Sequence, residues 1–208
     1  MEEDQQNFMI KVYSTTTNDA LLKVSAYLYY TGDDQNLKDK LGDRNSTLAY
    51  VNISFYIEEM KYSGTVGSKR ITTTYNGFLN SLYNYASKSK LYERFPVLKK
   101  VKGISYVLMI CCICQAFKLG FIIPTDYIVL EASGEIIDKD MYGLVDYYKS
   151  IGFSPLVPDL LEISVEENSY VPMRAQVEKI ISMCTLENVS PEMLNLLPVR
   201  MCKGMCGL

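Results

Sequence analysis

The sequence predicts an α/β (α+β) domain with a mixed, mostly antiparallel central sheet flanked by helices, on three observations. From Leu48 to Met60, Leu48, Tyr50, Asn52, Ser54 and Tyr56 alternate with Ala49, Val51, Ile53, Phe55 and Ile57, the period-two pattern of a half-buried strand. From Ile104 to Leu119 an apolar run uninterrupted by glycine or proline ends at Gly120, as a buried helix would. Tyr127 to Ala132 is a short continuous apolar run, the form of a central strand covered on both faces, and a helix over 140–150 follows it.

The remaining elements follow from local chemistry. Phe8 to Tyr13 predicts a first strand, followed by a Thr-rich turn. Leu21, Leu22, Val24, Tyr27 and Leu28 recur at helical spacing, so a helix capped by Asp19 is expected over 20–30, ending at Thr31-Gly32-Asp33-Asp34. Residues 32–46 form a polar connection with room for a short helix. Gly64 to Gly67 reads as a turn and Lys69 to Tyr75 as the return strand of a hairpin. Leu79, Leu82, Tyr83, Tyr85 and Ala86 then suit a helix within 78–95, before Pro96. Short strands are expected at Phe153 to Val157 and Glu162 to Val165, with a turn at 166–168. A last strand begins at Tyr170 and leads into a helix over 175–184.

Composition narrows the chemistry. The chain has 208 residues, 48% hydrophobic and 22% charged, which suits one folded domain with a sizeable core. It contains no histidine, which excludes Ser-His-Asp and Cys-His catalysis, imidazole bases and His-ligated zinc. A formal charge of -3 gives no general positive field for a phosphate backbone, so no nucleic-acid partner is expected. Ile104 to Phe117 is too short to span a bilayer, so no membrane partner is expected either. The acidic opening Met1 to Asn7 differs from a signal peptide, and a reducing, cytoplasmic setting follows. Cys111, Cys112 and Cys114 lie in the apolar run and read as core residues. Cys202 and Cys206 have a spacing compatible with metal ligation but lack a partner pair, so no metal is expected; stoichiometric zinc is the competing reading.

The basic stretch Leu98-Lys99-Lys100-Val101-Lys102-Gly103 stands at the head of the apolar helix. Glycine allows close backbone approach, first-turn amides can bind a pyrophosphate, and lysine adds a point charge. Lys100-Val101-Lys102-Gly103-Ile104-Ser105 resembles the Arg/Gln-x-x-Gly-x-Gly/Ala acetyl-CoA loop of the GCN5-related N-acetyltransferases (the GNAT superfamily), with Lys100 and Ser105 in place of the usual residues. Tyr127 to Gly134 resembles that family's next core strand. Leu144-Val145-Asp146-Tyr147-Tyr148-Lys149-Ser150-Ile151-Gly152-Phe153 resembles its helix-to-strand signature, and Tyr170 to Arg174 its closing strand.

The resemblance implies an acyl-CoA N-acyltransferase-like fold over residues 1–174, a helical insertion at about 76–97, and a helical extension over 175–208 packed on the same domain. It implies acetyl-CoA as co-substrate, held by Lys100, Val101, Lys102, Gly103, Ile104 and Ser105, and an amine-bearing small molecule or protein as acceptor. It further implies Tyr148 as the acid that protonates the departing thiolate; a phenol with a pKa of about 10 is protonated at neutral pH. Glu58, Glu59 and Glu131 and a water chain are open as the base. A binding or structural module of the same fold, without catalysis, is the alternative.

Overall fold

The computed structural model describes residues 7–17, 19–42, 46–85, 90–99, 101–133, 141–160, 170–183 and 189–197. Strands β1 (Phe8–Thr17), β2 (Leu21–Tyr30), β3 (Thr47–Val66) and β4 (Lys69–Asn84) form an antiparallel meander, with α1 (Gln35–Leu41) between β2 and β3. The short helices α2 (Leu91–Arg94) and α3 (Pro96–Lys99) precede the long α4 (Ile104–Lys118). Then come β5 (Tyr127–Ala132), α5 (Met141–Ser150), β6 (Ser154–Pro155), a 3₁₀ turn at Pro158–Leu160, β7 (Val171–Gln176), α6 (Val177–Ser182) and α7 (Pro191–Asn195). The result is a mixed α+β fold on one seven-stranded sheet of order β1-β2-β3-β4-β5-β7-β6. Among the described residues no helix is long and apolar enough to cross a membrane.

The expected helix over 20–30 is a strand. Its apolar residues fit both periods, but Leu22, Val24, Ala26, Leu28 and Tyr30 are the buried ones, which is alternation. Asp19 is not a helix cap: it sits in the β1–β2 turn at φ +50°, a conformation that Asp tolerates better than most residues. The helix expected within 78–95 is likewise absent over 78–84, where β4 continues alongside β3 from Gly77 opposite Phe55 to Asn84 opposite Ala49. Among the described residues of 78–95, Tyr85 and α2 are helical. Pairing with a neighbouring strand has overridden local spacing in both places. The strands read at 8–13, 48–60 and 69–75 are present and longer than expected. The helices near 104–119, 140–150 and 175–184 and the strand 127–132 also form. The strand and turn expected over 162–168 lie outside the described residues.

One face of the β1–β4 meander is closed by α4, which is apolar all round and buried from Ile104 to Cys114. Cys111, Cys112 and Cys114 are free thiols in this core, and Cys112 lies 3.8 Å from the Val24 carbonyl oxygen. Burial, then the neighbouring Cys111, pushes the Cys112 thiol pKa well up, so it behaves as a hydrophobe. The opposite face carries a comb of tyrosines. Tyr27, Tyr50 and Tyr83 are register partners on β2, β3 and β4, with ring centroids 5.8 and 5.7 Å apart.

Two irregularities shape the rest. Residues 56–59 of β3 stand opposite Asn76 alone, and this wide bulge bends the outer part of the β3–β4 hairpin. The bent arm lies over β5 and β7, where Tyr62 Oη donates to Glu131 Oε1 at 2.8 Å and Val66 and Ile71 pack on Val157. The second irregularity is the one parallel pairing among the described residues, Gly77 with Ile128 and Phe78 with Val129. A Cβ on Gly77 would sit 2.9 Å from Ile128 Cγ1 and 3.4 Å from Phe55 Cδ1, so glycine is what lets β4 and β5 meet. Gly77→Val should therefore lower unfolding free energy by about 1–3 kcal/mol through overpacking, read from the denaturant midpoint. A midpoint equal to the wild type would mean that the junction relaxes freely.

Candidate functional site

β4 ends at Asn84, beside the start of the crossover that returns the chain to β5. After α2 and α3 the chain turns through Val101, Lys102 and Gly103 into α4. Gly103 is the N-cap, at φ +78°, a left-handed conformation that suits glycine. Its carbonyl accepts the first helical bond, from the Val107 amide at 2.9 Å. The amides of Ile104 and Ser105 precede that bond and have no acceptor within the helix. They stand at the positive end of a 15-residue helix.

Two hollows flank this loop. A cavity of about 260 Å³ lies between the first turn of α4 and one face of α5, lined by Gly103, Ser105, Tyr147, Ser150 and Ile151. A more open hollow of about 610 Å³ lies on the other side, lined by Tyr92, Glu93, Leu98 and Lys99. Asn84, Lys102 and Ile104 border both. Lys99 and Lys102 are exposed and Glu93 is the carboxylate among these lining residues, so the rim is weakly positive. The larger hollow is of a size that small organic ligands occupy.

The loop is held by a distant segment. Ser190 Oγ accepts from the Lys102 amide at 3.1 Å, and the Ser190 amide donates to the Lys102 carbonyl at 3.1 Å. The same Ser190 is the N-cap of α7. Tyr106, in the next position of α4, donates its hydroxyl to the Ile180 carbonyl of α6. The candidate site thus rests on β4, α4, α5 and the chain beyond β7 together.

The structure places the expected site residues as follows. Gly103, Ile104 and Ser105 form the mouth of the smaller cavity, and Lys102 its exposed rim. Val101 borders the other hollow, its amide donating to the Leu98 carbonyl at 3.2 Å. Lys100 lies outside the described residues. Tyr148 is on α5, 7% exposed, with its ring 5.9 Å from Phe153 and 5.5 Å from Tyr147. Its neighbour Tyr147 is the one that lines the cavity, and it is hydrogen-bonded to Ser105. Sequence reading passed over Tyr147, Ser150 and Ile151, although their spacing puts them on one side of a helix.

The acids considered as bases are separate from this cavity. Glu58 and Glu59 are exposed in the β3 bulge. Glu131 is exposed on the face opposite α4, where it accepts from Tyr62. Cys202, Cys206 and Cys184 lie outside the described residues. Among the described residues no group of three or more His, Cys, Asp or Glu side chains could hold a metal ion.

Burial dominates the electrostatics. It raises the Tyr148 pKa, with Tyr147 adding to the rise; it raises the Tyr147 pKa, with the Ser105 bond opposing. The Tyr62 phenol is raised by burial first and then by its bond to Glu131. A folded pKa above the unfolded value gives stability that is complete below the unfolded pKa and lost as pH rises through the folded one. The melting temperature should fall once pH passes about 10, and Tyr148→Phe should make that fall shallower. Superimposable alkaline limbs for the two proteins would show that Tyr148 titrates alike in folded and unfolded chains.

Comparison with protein-family models, with curated proteins and with solved structures returns no match to this chain.

Proposed function

We propose that the chain has an acyl-CoA N-acyltransferase-like fold, binds acetyl-CoA at the start of α4, and transfers the acetyl group to an amine. The observation that carries this reading is the placement of the Gly103 loop. It opens the crossover helix beside Asn84, at the carboxyl end of β4, and β4–β5 is the one parallel pairing among the described residues. Ligands of open α/β sheets bind outside the carboxyl ends of strands where the order switches, with phosphate on helix amides. The resemblance of residues 100–105 to an acetyl-CoA loop supplies the ligand.

In this reading the Gly103, Ile104 and Ser105 amides hold the pyrophosphate, with Lys102 adding charge at the rim. The amine nitrogen attacks the thioester carbonyl, the C–N bond forms, the C–S bond breaks, and the thiolate takes a proton from a phenol. The amine proton leaves to solvent. A phenol with a raised pKa stays protonated and can serve as that acid. Tyr148 has the position that the resemblance assigns, and Tyr147 is the tyrosine that lines the cavity.

Isothermal titration with acetyl-CoA should give a saturable one-to-one signal. Gly103→Trp should abolish it, while Gly103→Ala, with the same backbone strain and little bulk, should retain most of it. Equal affinity in the Trp variant would remove the loop from the site. In acetyl-transfer assays Tyr148→Phe should depress turnover about a hundredfold or more, with cofactor affinity unchanged. Loss in Tyr147→Phe alone would move the acid by one position.

A second reading, a binding module of the same fold without turnover, is favoured by two observations. The Lys102 amide is already taken by Ser190, and Tyr148 is almost sealed from solvent. It predicts an acetyl-CoA-dependent rise in melting temperature with no transfer to any amine.

A further inference from the structure

The amino end of β5 carries a second, separate hollow. Here a cavity of about 650 Å³ is lined by residues of β5, β6, β7 and α6, among them Tyr127, Ser154, Arg174, Gln176 and Lys179. Its volume is typical of a small-molecule site.

Arg174 is the informative group. It is half-buried on β7, opposite Val129 of β5 and Ser154 of β6. Its Nη1 donates to Thr73 Oγ1 of the overlying β3–β4 arm at 2.7 Å, and its guanidinium carbon lies 4.2 Å from the centroid of the Tyr127 ring. A hydroxyl on one arm of the fork and an aromatic plate under it fix the plane of the group. Yet Arg174 has no carboxylate partner among the described residues. Among the described residues Glu178 is the one carboxylate lining the cavity; it is exposed and makes no ion pair with Arg174.

A half-buried guanidinium held rigid with no carboxylate on it among the described residues has given up part of its solvation, which an oxyanion restores. The N–H groups not bonded to Thr73 form a planar fork that matches a carboxylate in two parallel bonds. The local charge is modest, one guanidinium and the exposed Lys179 against Glu178, and Pro155, Leu156 and Ala175 supply an apolar wall. That balance fits a singly charged carboxylate with a short carbon chain better than a phosphate. We propose that this cavity is a binding site for a small carboxylate, oriented by Arg174. The inference is independent of the acyl-CoA reading, because no lining residue is shared with the hollows around Gly103.

Isothermal titration of the full chain with butyrate and with acetate, each in a buffer free of other carboxylates, tests it. The expected result is saturable binding that Arg174→Gln removes and that Arg174→Lys weakens about tenfold or more by losing the fork. Thr73→Val, which keeps the shape of the side chain but frees the guanidinium, should weaken it several-fold. Inorganic phosphate should neither bind nor compete. Absence of saturable carboxylate binding to the wild type would overturn the proposal, as would unchanged affinity in Arg174→Lys should Arg174→Gln fail to fold. Binding of phosphate with both carboxylates inert would overturn the ligand assignment.

Discussion

Because β4 and β5 run parallel, the chain leaving Asn84 must travel the length of the sheet before it re-enters at Tyr127, and no tight turn can make that journey. The crossover is α4, and the rest of the molecule is arranged around it. Its burial from Ile104 to Cys114 closes one face of β1–β4. Its N-terminus is delivered to the carboxyl end of β4, and its far end leads back through Pro124 to Asp126. There the Asp126 and Pro124 carbonyls accept from the Val177 and Glu178 amides, at 2.9 Å each, at the start of α6. The junction itself depends on Gly77, where the Ile128 side chain occupies the space of a Cβ.

The two faces of the sheet are consequently different environments. On the α4 side, desolvation rules: the Cys112 thiol stays neutral and the core is apolar. On the other side, hydroxyls and charges meet across strands that are remote in sequence. The β3 bulge is what brings them together, since it turns the outer arm back across β5 and β7 and sets Tyr62 on Glu131 and Thr73 on Arg174. A straight hairpin would leave Glu131 and Arg174 without these partners.

The hollows beside Gly103 and the cavity at Arg174 share no lining residue, and neither is built from one stretch of chain. The Gly103 loop is supported by Ser190 and faced by Tyr147. Arg174 is oriented by Thr73 and Tyr127. In each case one element supplies the charged or amide group, and distant ones fix its direction, so that the ordering cost is met on folding rather than on binding.

The sequence by itself determined the elements whose pattern has one physical solution. Ile104 to Cys114 is apolar nearly all round, which suits a buried helix, and Leu48 to Phe55 alternates as a strand does. The Gly103 loop was legible for the same reason, since a glycine before an apolar helix predicts both the turn and the open amides. Leu21 to Tyr30 carries a pattern that suits helix and strand alike, and Gly77 to Asn84 was no clearer. The tertiary structure decided both, because β3 offered each a partner edge whose hydrogen bonds helical spacing could not supply. It also decided which tyrosine of the pair at 147 and 148 faces the cavity, and that a serine 88 residues away would hold Lys102. Local pattern fixes what a segment can be; the neighbours that fill its hydrogen bonds and its empty volume fix what it becomes.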